Sequence, residues 1–226
     1  CGASLPPLRP VDGVMRLSRM GAFFPHRLSF MRVLIRRLAR QKAVMQMPVC
    51  ALDENGFGHV VLCLPLSGRV YSLIAYSRPL EDGARTDRVI ATSWDASFCL
   101  FDGVPEPADI ERLADEVTRQ EAGRYDERVL TLSRANKSVR LFQHVTEALA
   151  AGRQPDKEQL VATGYLMRTT AVYGNGKFGI ADRDQLVKYD GLEGAFQAEM
   201  LTVFLIREFT LFLAEYCASQ KGGGTA

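Results

Sequence analysis

With 226 residues, 47% of them hydrophobic and 24% charged, the chain carries enough apolar content for a sizeable core, which excludes a disordered tail or a miniature disulfide scaffold. A formal net charge of +2 is not the signature of a nucleic-acid binder or of an acidic solvating protein, and no run approaches the ~20 apolar residues of a membrane span. Five cysteines without a C-x-x-C pair provide neither a zinc framework nor a disulfide set, so a reducing, cytoplasmic setting is expected.

The first residue is Cys1 rather than Met, and loss of an upstream segment is expected. Residues 13–52 hold no Asp or Glu, whereas Arg16, Arg19, Arg27, Arg32, Arg36, Arg37, Arg40 and Lys42 all fall there. Within 28–43, Leu28, Met31, Leu34, Ile35 and Leu38 recur at helical spacing and leave the arginines towards the other side, which predicts a basic amphipathic helix. Such a helix suits a lipid surface, an anion site or an acidic protein partner. With Phe30 as its one aromatic residue it lacks bases' stacking platforms, and nucleic acid is not expected. Residues 1–47 are read as this basic helical segment and 48–221 as a single domain.

Residues 48–101 turn β-branched and aromatic, with strands expected at 49–52, 59–65, 69–77, 87–93 and 96–101. Turn residues cluster at 53–56 and 66–68, and connections this short imply an antiparallel meander, because parallel strands need long crossovers. Imperfect alternation over 69–76 suggests helices on one face and a partly wet second face. Trp94 and Asp95 are read as a turn between two strands. The expected fold class is α+β: an antiparallel sheet over about 48–101, packed with helices, and a long apolar C-terminal helix.

After Pro105 the period becomes helical, with Ile110, Leu113, Ala114 and Val117 in phase, a start at Pro107 and Asp109, and a stop at Gly123. A short extended piece over 128–132 leads to residues 133–140, read as the start of a helix that ends at Gly152, with Ser133 or Asn136 as its cap. Unpaired N–H groups at a helix start attract anions, and Arg134 and Lys137 would add charge there. His144 follows on the same helix as a minor candidate base.

Residues 163–183 hold the densest cluster of polar side chains and glycines. The spacing Gly174-x-Gly176-x-x-Gly179 matches a dinucleotide fingerprint, but too little chain follows it for further parallel strands, and a hairpin turn at 173–176 is the better account. Residues 194–219 form the longest apolar helical pattern, interrupted by Arg207 and Glu208, whose charges need partners. No histidine has a partner at zinc-helix spacing and no nucleophile elbow occurs, so no metal is expected and no cofactor is assigned.

Together these features point to a pocket, formed by residues 133–140 and 163–183, for a small anionic metabolite bearing carboxylate or phosphate. Arg134, Lys137, Arg168, Lys177 and Arg183 would hold charge, and Asn136, Thr169, Thr170, Asn175 and the backbone at Gly176 would orient the ligand. Tyr173 and Asp182 are the proton-transfer candidates should there be catalysis. The alternative is a non-catalytic structural or interaction protein that forms a homodimer through the C-terminal helix.

Overall fold

The computed structural model describes residues 25–79, 94–118, 128–135, 139–156, 158 and 195–223. Helix α1 spans Pro25–Arg40 and precedes strands β1 (Gln46–Leu52), β2 (Gly58–Leu66), β3 (Arg69–Pro79) and β4 (Trp94–Asp102). Helix α2 (Pro107–Thr118), strand β5 (Val129–Ala135), helix α3 (Val139–Ala150) and helix α4 (Ala195–Gln220) follow. The five strands form one sheet in the order β1-β2-β3-β4-β5, and every neighbouring pair is antiparallel. The architecture is therefore α+β.

Local chemistry sets the strand registers. The β2–β3 hairpin turns on Ser67 and Gly68, at φ 52° and 79°, the left-handed pair of a two-residue turn whose twist matches the strands it joins. Between β1 and β2 the Asp53 carboxylate accepts the N–H groups of Asn55 and Phe57 at 2.8 and 2.9 Å, so this side chain closes the turn.

Because side chains alternate along a strand, the sheet offers two faces, and both are covered. Leu62, Leu64, Leu73, Phe98 and Leu100 line the first face, under α1, α3 and α4. Phe98 meets Phe209 of α4 edge to face at 5.7 Å. Buried in the same layer, Thr131 of β5 and Thr202 of α4 share a 2.6 Å hydrogen bond. Thr202 gives its hydrogen to the Ala198 carbonyl, so Thr131 is the donor between them. Near its far end α4 is tied to β1 by the Tyr216 hydroxyl, which donates to the Leu52 carbonyl at 3.0 Å.

Val61, Cys63, Ile74, Cys99 and Phe101 form the second face, and α2 covers it with Ile110 and Leu113. The expected wet face is thus corrected: residues 71–77 are buried on both sides, which explains their blurred alternation. Pro107 opens α2, where its missing N–H costs nothing, and the Asp109 carboxylate accepts the Glu106 N–H at 3.1 Å. Burial alone would raise the Asp109 carboxyl, but that hydrogen bond, Arg112 and Arg128 outweigh it and hold it below its ordinary value.

Two further expectations change, and one falls outside the described residues. Trp94 is not in a turn but opens β4, opposite Pro79. Strand β3 pairs directly with β4; the strand expected over 87–93 lies among residues 80–93, outside the described part. Residues 133–135 continue β5, paired with 96–98, so Ser133 does not cap the helix, which begins at Val139. Pairing to β4 overrides the helix-start appearance of these small polar residues.

Helix α1 buries Leu34, Ile35 and Leu38 in the first-face core and leaves Arg36 and Arg40 exposed. It ends at Arg40, earlier than its period suggests, because Lys42 takes φ 48° and the Ala43 N–H returns to the Leu38 carbonyl at 2.9 Å. In the described part of the stripe Leu34, Ile35 and Leu38 are buried against protein, and only Val33 is an exposed large hydrophobic residue there. No described helix is long and apolar enough to cross a membrane.

Candidate functional site

The strand registers assemble a site that no single segment contains. Residues opposite each other in antiparallel strands occupy the same face, so cross-strand rows follow directly from the pairing. On the second face one row runs Val61, Ile74, Cys99, Leu132, entirely apolar. The next row towards the sheet's end on that face runs His59, Tyr76, Ser97, Arg134. One step further out Arg78 is opposite Asp95. Within two steps the face changes from a hydrocarbon layer to a band of polar and ionisable positions.

Tyr76 and Ser97 of this band are buried, whereas His59 and Arg78 stay partly exposed. A groove of about 380 Å³ remains between the sheet's end and the helix. Phe57, Tyr76, Pro79 and Ile110 give it apolar walls, and His59, Arg78 and Glu111 supply the polar groups. The Tyr76 hydroxyl donates to the Ile110 carbonyl at 2.7 Å and so pins α2 to the sheet. Burial, reinforced by neighbouring Cys99, pushes the Tyr76 hydroxyl above its ordinary value; it stays protonated at neutral pH and acts as a clamp rather than a base.

Arg78 lies with its guanidinium carbon 5.8 Å from the centre of the Tyr76 ring and donates from Nη2 to the Ala114 carbonyl at 3.1 Å. That leaves further N–H donors of its planar fork for a ligand carboxylate or phosphate. The His59 and Tyr76 rings, 6.4 Å apart and tilted at 47°, form a partly aromatic floor. Among the described residues no group of three or more His, Cys, Asp or Glu side chains is placed to hold a metal ion.

Of the residues singled out in the sequence, Arg134 falls in β5, in the polar row, and not at a helix start. Asn136, Lys137, Arg168, Thr169, Thr170, Tyr173, Asn175, Gly176, Lys177, Asp182 and Arg183 lie outside the described residues. His144 is exposed on α3, a first-face helix, and has no part in the groove. Sequence reasoning missed His59, Arg78 and Glu111. The signal for the first two was the Ser67-Gly68 turn, which by itself sets His59 opposite Tyr76 and brings Arg78 to the same end of the sheet. No known protein family, curated protein or solved structure matches the chain.

Proposed function

We propose that the protein binds a small metabolite bearing carboxylate or phosphate at the polar end of the sheet's second face. The observation that carries this reading is the step from the Val61–Leu132 row to the His59–Arg134 row beside an open groove. Apolar residues at such positions would stabilise the core more than His, Arg and Ser do, so a polar band next to a cavity is better explained by a ligand than by packing. Arg78 supplies the bidentate anion contact, and Arg134, opposite Ser97 in the strand register, is assigned to the same ligand. Residues 163–183, with Arg168 and Lys177, are assigned to the same ligand, and Tyr173 and Asp182 to proton transfer if turnover is found.

The interaction-protein alternative has less behind it. Residues 200–206 of α4 are buried within the single chain, so that part of the helix has no free surface for a second copy.

Thermal melts with benzoate, phenylacetate and inorganic phosphate test the proposal, because a ligand selective for the native state raises the melting temperature. A stabilising probe should bind Arg78→Ala and Arg134→Ala more weakly by about 1.5–3 kcal/mol each, the scale of hydrogen bonds to charged groups. Arg168→Ala and Lys177→Ala then report whether the glycine-rich segment joins the site. No stabilisation by any of the three probes, or unchanged binding in both Arg78→Ala and Arg134→Ala, overturns the reading.

A further inference from the structure

The groove presents both signs of charge. Arg78 comes from β3 and Glu111 from α2, and both line the same cavity. They do not pair with each other; the ion pairs seen nearby are Asp109 with Arg112 and with Arg128. Arg78 spends one donor on the Ala114 carbonyl, and Glu111 is exposed at the mouth. The same cavity has an apolar wall made by Phe57, Tyr76 and Ile110. Tyr76 adds no polar atom to that wall, since its hydroxyl is committed to Ile110.

We infer that the ligand of this groove is a free α-amino acid with an apolar side chain, bound as its zwitterion. The inference rests on the proposed anion site and narrows it. A simple carboxylate would satisfy Arg78 but bring a negative charge towards Glu111, and a simple amine would reverse the problem. An α-amino acid satisfies both, with its carboxylate on the Arg78 fork and its ammonium towards Glu111. The side chain then lies on the Phe57, Tyr76 and Ile110 wall, where burial of each methylene contributes to affinity and a polar side chain would lose its water without a partner. A cavity of about 380 Å³ sits near the lower end of small-ligand pockets, a size for one amino acid rather than a nucleotide or a peptide.

The experiment is calorimetric titration of the full chain with L-phenylalanine, L-leucine, 3-phenylpropionate and phenethylamine, repeated on Glu111→Gln. That substitution lies on the exposed side of α2 and leaves the helix's core contacts in place. The two amino acids should bind at least about tenfold more tightly than 3-phenylpropionate or phenethylamine, the scale of one charge-assisted contact. Glu111→Gln should abolish the preference for phenylalanine over 3-phenylpropionate without weakening 3-phenylpropionate itself. If 3-phenylpropionate matches phenylalanine, or if Glu111→Gln leaves phenylalanine binding unchanged, the zwitterion is wrong while the anion site stands. Tightest binding of phenethylamine, or no binding of any probe, overturns both.

Discussion

Replacing Tyr76 with Phe removes one oxygen and nothing else from the joint between α2 and the sheet. The ring stays, so no cavity forms, and what is lost is the 2.7 Å hydrogen bond to Ile110. The Ile110 carbonyl lies within α2 and keeps its helical acceptor role, so the cost at neutral pH is that of one ordinary buried hydrogen bond, about 1 kcal/mol. Alkaline pH should reverse the order of the two proteins. Burial above all, and then Cys99, raises the Tyr76 pKa above the ordinary value of 10. Below about pH 10 the hydroxyl is protonated in folded and unfolded chains alike, and its contribution is fully present. Above that the unfolded chain ionises while the folded chain does not, so the wild type loses about 1.4 kcal/mol per pH unit that Tyr76→Phe cannot lose. The neutral-pH advantage of the wild type should vanish near pH ~11 and change sign above it. Urea unfolding followed by circular dichroism at a series of pH values measures this directly, because the other tyrosines, lysines and cysteines titrate in both proteins and cancel in the difference. A difference that stays constant from about pH 8 to about pH 11.5 would refute the buried, pinned hydroxyl.

Three further predictions use other parts of the fold. Gly58, at φ +135°, has the Ala51 carbonyl oxygen where a Cβ would sit, so Gly58→Ala should cost about 2–5 kcal/mol in urea melts from strain and overlap together. Gly68→Ala, at φ +79° in open space, should cost about 1 kcal/mol, and a larger loss at Gly68 than at Gly58 would contradict the β1–β2 register. Thr202→Val strands the buried Thr131 hydroxyl, whereas Thr131→Val leaves Thr202 bonded to Ala198, so the first should destabilise more, by about 1–3 kcal/mol, and the double variant by less than the sum. Asp109→Ala should cost about 0.5–2 kcal/mol at neutral pH. Because the folded Asp109 pKa is depressed, that difference should fade in acid unfolding curves as pH drops below about 4, and a pH-independent difference would exclude the carboxylate as its source.

The α+β class and four of the five strands were legible because apolar β-branched runs ended at turns with their own chemistry, Asp53 in one and Ser67-Gly68 in the other. The fifth strand was only half visible. Residues 128–132 read as extended, but Ser133 and Arg134 resembled a helix start, and nothing local announced their pairing with Phe98 and Ser97. Trp94 was misplaced for the same reason: its partner, Pro79, is distant in sequence. The groove was least legible. His59 and Arg78 in neighbouring strands look like an ordinary solvated face, and they line one groove only when α2 is laid across the sheet with Ile110, Glu111 and Ala114 beside them.

Helix α4 has a consequence for how the chain is made. The first-face residues from Val60 to Leu100 are synthesised long before Ala195–Gln220, the helix that covers them. Roughly a hundred residues separate Leu100 from Ala195, about 5–20 s of ribosomal elongation. Throughout that interval the hairpins can pair, but the oily side of the nascent sheet lacks α4, the helix that packs on β3, β4 and β5. An apolar β-surface held open for seconds attracts neighbouring nascent chains, so yield during expression should respond to temperature and chaperone supply more than native stability alone would suggest.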